Sequence, residues 1–197
     1  EKDQFRLPVL FHNLRGYDLH LIMQAVRKFH GRIDVIPNNY ERYQSFTIGR
    51  LKFLDSFQFL PASLDSLTRQ MNVKDFKYIT RFFPDLTKRT LMLRKGAYPY
   101  EHMTSMTKFD KTELPPQTAF YNQLNKEPLS DVDYEHVQRV WSSFACQTLH
   151  DYDNLHLHSD VYLLAYVFEK LRVDLEAIFQ LDPVHYYSLQ GLSWDAA

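Results

Sequence analysis

One cysteine, Cys146, is all that 197 residues contain, so no internal disulfide framework can form and a reducing compartment fits. An excess of one charge is also missing. The 23 Lys+Arg face 24 Asp+Glu for a net charge of −1, which is not the basic footprint of a general nucleic-acid binder. A cleft that gathers carboxylates around metal ions, with basic residues placed locally, is compatible with that balance. No apolar run approaches membrane-spanning length, and there is no internal repeat or low-complexity tract. The charged opening Glu1-Lys2-Asp3-Gln4 is no signal peptide, so an intracellular, non-secreted protein is expected. With 45% hydrophobic residues the chain can bury a core of its own. Its 13 Tyr and 15 Phe suit stacking on nucleobases, but most aromatics in a globular chain fill the core.

Periodicity organises the chain as mixed α/β. Leu7 to Phe11 reads as a short buried strand, and Val9 to Phe11 is expected as an inner strand of the sheet. It breaks at Asn13-Leu14-Arg15-Gly16. A helix then carries Leu19, Ile22, Val26 and Phe29 on one face. Ile33 to Ile36 gives a second strand, stopped by Pro37-Asn38-Asn39, and Gln44 to Phe59 a hairpin turning at Gly49. Pro61-Ala62-Ser63 opens a short helix with Leu64 and Leu67 inward. Lys74 to Pro116 looks irregular, punctuated by Pro84, Gly96, Pro99, Pro115 and Pro116. Ser130 caps a helix to about Phe144, with Asp133 completing an S-x-x-D pattern. A long helix over 155–179 carries the stripe Leu157, Val161, Leu164, Phe168, Leu171, Leu175 and Ile178 and is expected to pack across the sheet.

Two stretches carry chemistry. Val9 to Ile22 and Asn154 to Glu169 each place one aspartate, Asp18 or Asp160, at the border of an apolar element. A carboxylate there is costly unless its charge is compensated, and a shared divalent metal would compensate both. A helix cap would also account for Asp18, and a left-handed turn residue for Asn13. Asp160 has no Lys or Arg three or four residues away, which invites an external partner. His156, one turn earlier on the same face, would hold a metal with Asp160 or orient a water. A zinc site from His150, Asp151, Asp153, His156 and His158 matches no standard spacing, and a solvated loop leading into the helix suits its first members.

Asn13-Leu14-Arg15-Gly16-Tyr17-Asp18 resembles the second exonuclease motif of family-B DNA polymerases, and Asp160 resembles the aspartate of the third. Leu51 to Leu67, Arg94 to Met103 and Leu181 to Ala197 are similar to the protein-primed, viral and organellar branch, including polymerases of Maverick/Polinton-type mobile elements. These matches cover nearly the whole chain in the expected order. The resemblance implies an RNase H-like 3′–5′ exonuclease domain over 1–180, incomplete at its N-terminus, and a connection over 181–197 towards the polymerase palm. It implies a DNA-directed DNA polymerase, a nucleotidyltransferase acting in DNA replication, in the nucleus or cytoplasm of a host or associated with a virus. Asp18 and Asp160 would be two of four carboxylates holding two Mg²⁺ or Mn²⁺ ions roughly 3.5–4 Å apart. Lys95 would neutralise phosphate charge in the transition state. A mobile surface lysine before a glycine reads equally well. Asn13, Tyr17, Ser63 and Leu64 would grip single-stranded DNA at its 3′ end, Tyr17 by packing on a base or sugar. A plain helix cap also accounts for Ser63. Primer-template DNA and a terminal priming protein are the implied partners, with no membrane.

Two departures from that pattern stand out. The Asp-x-Glu of the first motif is absent upstream of Asn13, and Asp3-Gln4-Phe5 does not supply it. The chain therefore reads as a piece of a longer protein that binds metals poorly and cleaves nothing alone. His156 stands where the family usually has tyrosine, and Leu155 where related exonucleases have histidine. The competing reading is a catalytically dead DNA-binding or structural module left by a mobile-element polymerase. A free-standing exonuclease would not need the Leu181 to Ala197 stretch.

Overall fold

The computed structural model describes residues 6–26, 28–37, 43–72, 76 and 79–197. Asp3-Gln4-Phe5, the strand stop at Asn38-Asn39 and Lys74 lie outside the described residues. The architecture is mixed α/β, with four strands in the order β1-β4-β3-β2. β1 (Leu7–Phe11) runs parallel to β4 (Leu51–Asp55), while β2 (Ile33–Pro37), β3 (Tyr43–Ile48) and β4 are antiparallel neighbours. The hairpin between β3 and β4 turns on Gly49-Arg50, and Gly49 takes a positive φ of 59° there. β1 does not take the expected inner place. Among the described strands it lies at the sheet's edge, where Pro8 is tolerated because an outward N–H is not needed.

The chain divides into two compact units, Glu1–Ser63 with Phe168–Ala197, and Leu64–Val167. In the first unit the strand period of two sorts the core. Val9 and Phe11 join Phe46, Phe53, Leu14 and the α1 residues Leu19 and Ile22 (α1, Asp18–Val26). Leu10 instead joins Phe59, Phe168, Leu171 and Leu175. Phe29, expected on the inner face of α1, falls beyond that helix and is exposed. Residues 181–197 pack into the same unit through Leu181, Val184, Tyr186 and Leu192. Lys52 fastens them, its Nζ donating to the Val184 carbonyl at 3.0 Å and lying 4.5 Å from the centre of the Tyr187 ring.

The second unit is helical: α2 (Leu64–Arg69), α3 (Ile79–Phe82), α4 (Leu86–Leu91), α5 (Asp131–Ser143) and the first part of α6 (Leu149–Phe179). A last helix, α7 (Leu189–Asp195), belongs to the first unit. The core of the second unit gathers Phe120, Val137, Val140, Cys146 and Tyr152. The stretch read as irregular thus contains α3 and α4, the latter started by Asp85 accepting from the Lys88 amide at 2.9 Å. Ser130 caps α5 as expected, accepting from Asp133 N at 3.1 Å.

α6 corrects two expectations. It begins at Leu149, so His150, Asp151 and Asp153 are helical and not in a loop. The reason is a reciprocal cap: Asp151 Oδ2 accepts from Thr148 N at 2.9 Å, and Thr148 Oγ1 accepts from Asp151 N at 3.3 Å. The expected apolar stripe is not continuously buried, since Leu157, Val161 and Ile178 are more than half exposed. The inward face of the first part runs through Tyr152, His156, Ser159, Leu163 and Tyr166, with the same alternation of four and three. Four of those residues are polar or amphipathic, which hid the face from a purely apolar count. No helix among the described residues is long and apolar enough to cross a membrane.

Candidate functional site

Asp160 finds its cation far away in sequence. Lys95 Nζ lies 3.1 Å from Asp160 Oδ2, joining the segment after α4 to the middle of α6. His156 Nε2 approaches the same oxygen at 3.8 Å from one helical turn earlier. Three of the residues singled out in the sequence, Lys95, His156 and Asp160, therefore meet at one point of the second unit.

The short segment carrying Lys95 is pinned on both sides. Arg94 pairs with Asp133 of α5. The Tyr152 hydroxyl of α6 donates to the Ala97 carbonyl at 2.6 Å. Tyr98 then stacks on the His156 imidazole, centroids 5.0 Å apart and planes 21° apart, and the Tyr100 hydroxyl comes to 3.4 Å from His156 Nε2. Lys95 is thus engaged in an ion pair with Asp160.

Burial sets the protonation states. The His156 side chain is only 10% exposed, and burial pushes its pKa below the usual imidazole range. The nearby Asp160 charge opposes that shift and Lys95 reinforces it. The imidazole is therefore neutral near pH 7. Burial likewise raises the Tyr100 phenol, and burial together with a hydrogen bond to Asp153 raises that of Tyr98. Both stay protonated donors. Two polar atoms at the site, Asp160 Oδ1 and His156 Nδ1, are buried without a hydrogen-bond partner among the described residues. A carboxylate with one oxygen paired to a lysine and the other free fits a further electropositive ligand, and a divalent metal is one such ligand. Among the described residues no three His, Cys, Asp or Glu side chains form a metal-holding group, so the zinc cluster around His150 and His158 does not assemble.

The other expected site residues belong to the first unit or its border. Asn13 adopts the left-handed conformation, φ 64° and ψ 40°, as a turn residue would. Its amide donates to Asp55 Oδ1 at 2.9 Å. The buried Asp55 carboxylate also accepts from Arg15 N and Phe57 N, so it stitches the turn after β1 to the end of β4. Gly16 is required because a Cβ would lie 2.7 Å from Asn13 Oδ1, the Asn13 side chain being folded over it. Tyr17 is 63% exposed and Asp18 opens α1, where a carboxylate suits the positive end of the helix. Ser63 immediately precedes α2, and Leu64 is buried, so its side chain packs in a core.

Sequence reasoning assigned no role to Asp55, Tyr98 or Tyr100. The signal for the tyrosines was present, since both lie in the quoted stretch Arg94 to Met103 beside Lys95. Asp55 caps its own turn through Phe57 N, but its other partners, the amides of Asn13 and Arg15, are distant in sequence and gave no local signal. Comparison of the chain with protein-family models, curated proteins and solved structures finds no match in any of the three.

Proposed function

We propose that this chain is the 3′–5′ proofreading exonuclease region of a family-B DNA polymerase of the protein-primed, viral or mobile-element type, with an RNase H-like fold. One observation carries the reading. Lys95 and Asp160, chosen separately from two short stretches as parts of one site, form an ion pair at 3.1 Å with His156 beside it. The family resemblance supplies the rest.

In this reading Lys95 draws the scissile phosphate towards Asp160 and neutralises its charge. His156, held flat by Tyr98, keeps a neutral imidazole beside Asp160, and water displaces the Tyr100 hydroxyl from Nε2 when that nitrogen accepts its proton. The exposed Tyr17 ring packs on the single strand. Asp160 would take part in holding Mg²⁺ or Mn²⁺, which would supply Lewis-acid activation of water and stabilise the leaving 3′ oxygen. A further strand bearing Asp-x-Glu would add at β1, the edge strand among the described residues.

The test is calorimetry with Mn²⁺ combined with degradation of a 5′-labelled single strand. The chain alone should bind Mn²⁺ weakly. A version extended by an Asp-x-Glu strand should bind tightly and degrade the strand, and Asp160→Ala should abolish both gains. His156→Ala should slow degradation by about 10²–10⁴-fold. No degradation by the extended version would overturn the reading in favour of a catalytically dead module, and undiminished degradation by Asp160→Ala would overturn the site.

A further inference from the structure

Beside Lys95 the second unit encloses a cavity of about 500 Å³, within the roughly 300–1,000 Å³ span of small-molecule sites. Lys95, Tyr100, Glu101, Tyr121, Asn122 and Glu127 are among the residues that line it. Two of its aromatic rings are not consumed by the core: Tyr100 is 66% exposed and Tyr121 37%. Tyr98, by contrast, is already stacked between Tyr152 and His156. Bases stack on an exposed ring face whatever their identity, and Tyr121 offers one, while Tyr100 also meets Tyr98 edge-on at 5.0 Å.

The charges in the lining narrow the ligand. Among the described residues no ion pair engages Glu101 or Glu127, whereas Asp133 is paired with Arg94 and Lys95 with Asp160. The main chain at Glu127 is held in place. Glu127 closes a small hairpin through paired main-chain bonds with Asn122, at 2.9 and 3.3 Å, and Asn122 Oδ1 accepts from Leu124 N and Asn125 N inside it. A phosphate inside this cavity would be repelled. A neutral ring with N–H donors would be held, because a carboxylate only accepts. Adenine, cytosine and guanine each carry an exocyclic amino group, and a carboxylate accepts from such a group in base recognition. Thymine offers carbonyl oxygens there, acceptor against acceptor, and its one donor, N3–H, lies between them.

We propose that this cavity takes the terminal base of a single strand and favours bases with an exocyclic amino group, the phosphate of the same nucleotide staying at Lys95. The inference rests on the strand-binding reading above and adds a base preference to it. Lys95 both lines the cavity and pairs with Asp160, so one side chain joins the base pocket to the phosphate site.

The experiment uses the chain as it stands, in EDTA so that nothing is cleaved. Fluorescein-labelled oligothymidines ending in dA, dC, dG or dT at the 3′ terminus are titrated by anisotropy. A parallel strand ends in 2-aminopurine, whose fluorescence falls on stacking. The amino-bearing ends should bind roughly fivefold tighter than dT, the worth of one hydrogen bond. Glu127→Gln, at an exposed position, should narrow that gap. Tyr121→Leu should restore 2-aminopurine fluorescence, with circular dichroism confirming that the variant folds. Equal affinity for all four ends, or a terminal base that stays bright while the strand binds, overturns the pocket and leaves strand binding intact. Failure of every oligonucleotide to bind overturns both. Binding of agmatine without any preference among the strands reassigns the cavity to organic cations and also overturns the proposal.

Discussion

The two units hold their candidate residues by opposite means. In the first, Asn13 to Asp18 is shaped by the main chain: a left-handed asparagine, a glycine under its side chain, and amides captured by Asp55. In the second, Lys95, His156 and Asp160 are brought together by side chains, an ion pair, a ring stack and a tyrosine hydroxyl. A site made by the backbone tolerates loss of a side chain better than one made by side chains. The difference also decides what could be read beforehand, since turn chemistry is local and a pairing across 65 residues is not.

The sharpest way to break the comparison is to strike each core. Phe168 is 1% exposed and packs on Phe59 edge-to-face in the first unit. Phe168→Ala should cost about 3–5 kcal/mol in urea unfolding, and the Lys95–Asp160 pair of the other unit should not be the first thing lost. Val137, fully buried in the second unit, should lose less on truncation to Ala because it removes fewer atoms.

Acid should separate the units next. His136 is buried in the second unit, and burial, aided by Arg94 and Arg139, lowers its pKa to about 4. The unfolded chain then takes up the proton first. Stability from this group is complete above about pH 6.5 and drains away as pH falls towards 4, in total on the order of 3 kcal/mol. His136→Gln should flatten that slope in denaturant titrations across the window, and an unchanged slope would contradict the assignment. Asp151 acts lower still. Its pKa is lowered by the amides of Gln147 and Thr148, so its stabilisation is present above the ordinary carboxylate range and is lost as pH falls through its own. Asp151→Asn should remove that last acid-sensitive step from the α6 helical signal.

Lys95→Met leaves Asp160 partly buried beside an apolar side chain. With a quarter of the Asp160 side chain exposed, the cost should be about 1–2 kcal/mol and should shrink when Asp160→Asn is added, the mark of a coupled pair. The smallest effect is expected at Ser130→Ala, about 1 kcal/mol from a lost cap. Thermal melts of these variants test whether the second unit depends on charge as much as on its core.

Much of the fold was legible where a local signal existed. β1, the Asn13 turn, the Gly49 hairpin and the Ser130 cap all stand at or within a residue or two of the expected places. The start of α6 was legible too, because Thr148-x-x-Asp151 repeats the pattern recognised at Ser130, but the histidines around it suggested a loop. The inward face of α6 was not legible from apolarity, since His156 and Ser159 occupy it. Nor was the edge position of β1, which depends on pairing with β4 more than forty residues away.

Gly16 and Asn13 have a consequence for inheritance. The Asn13 amide group occupies the space into which any side chain at position 16 would grow. A side chain at 16 evicts the Asn13 amide group, whereas position 13 can shorten while Gly16 stays, so change at 13 should precede change at 16 across descendants of this sequence. A lineage that replaces Gly16 should already have shortened or lost the side chain at 13, and with it whatever that amide touches.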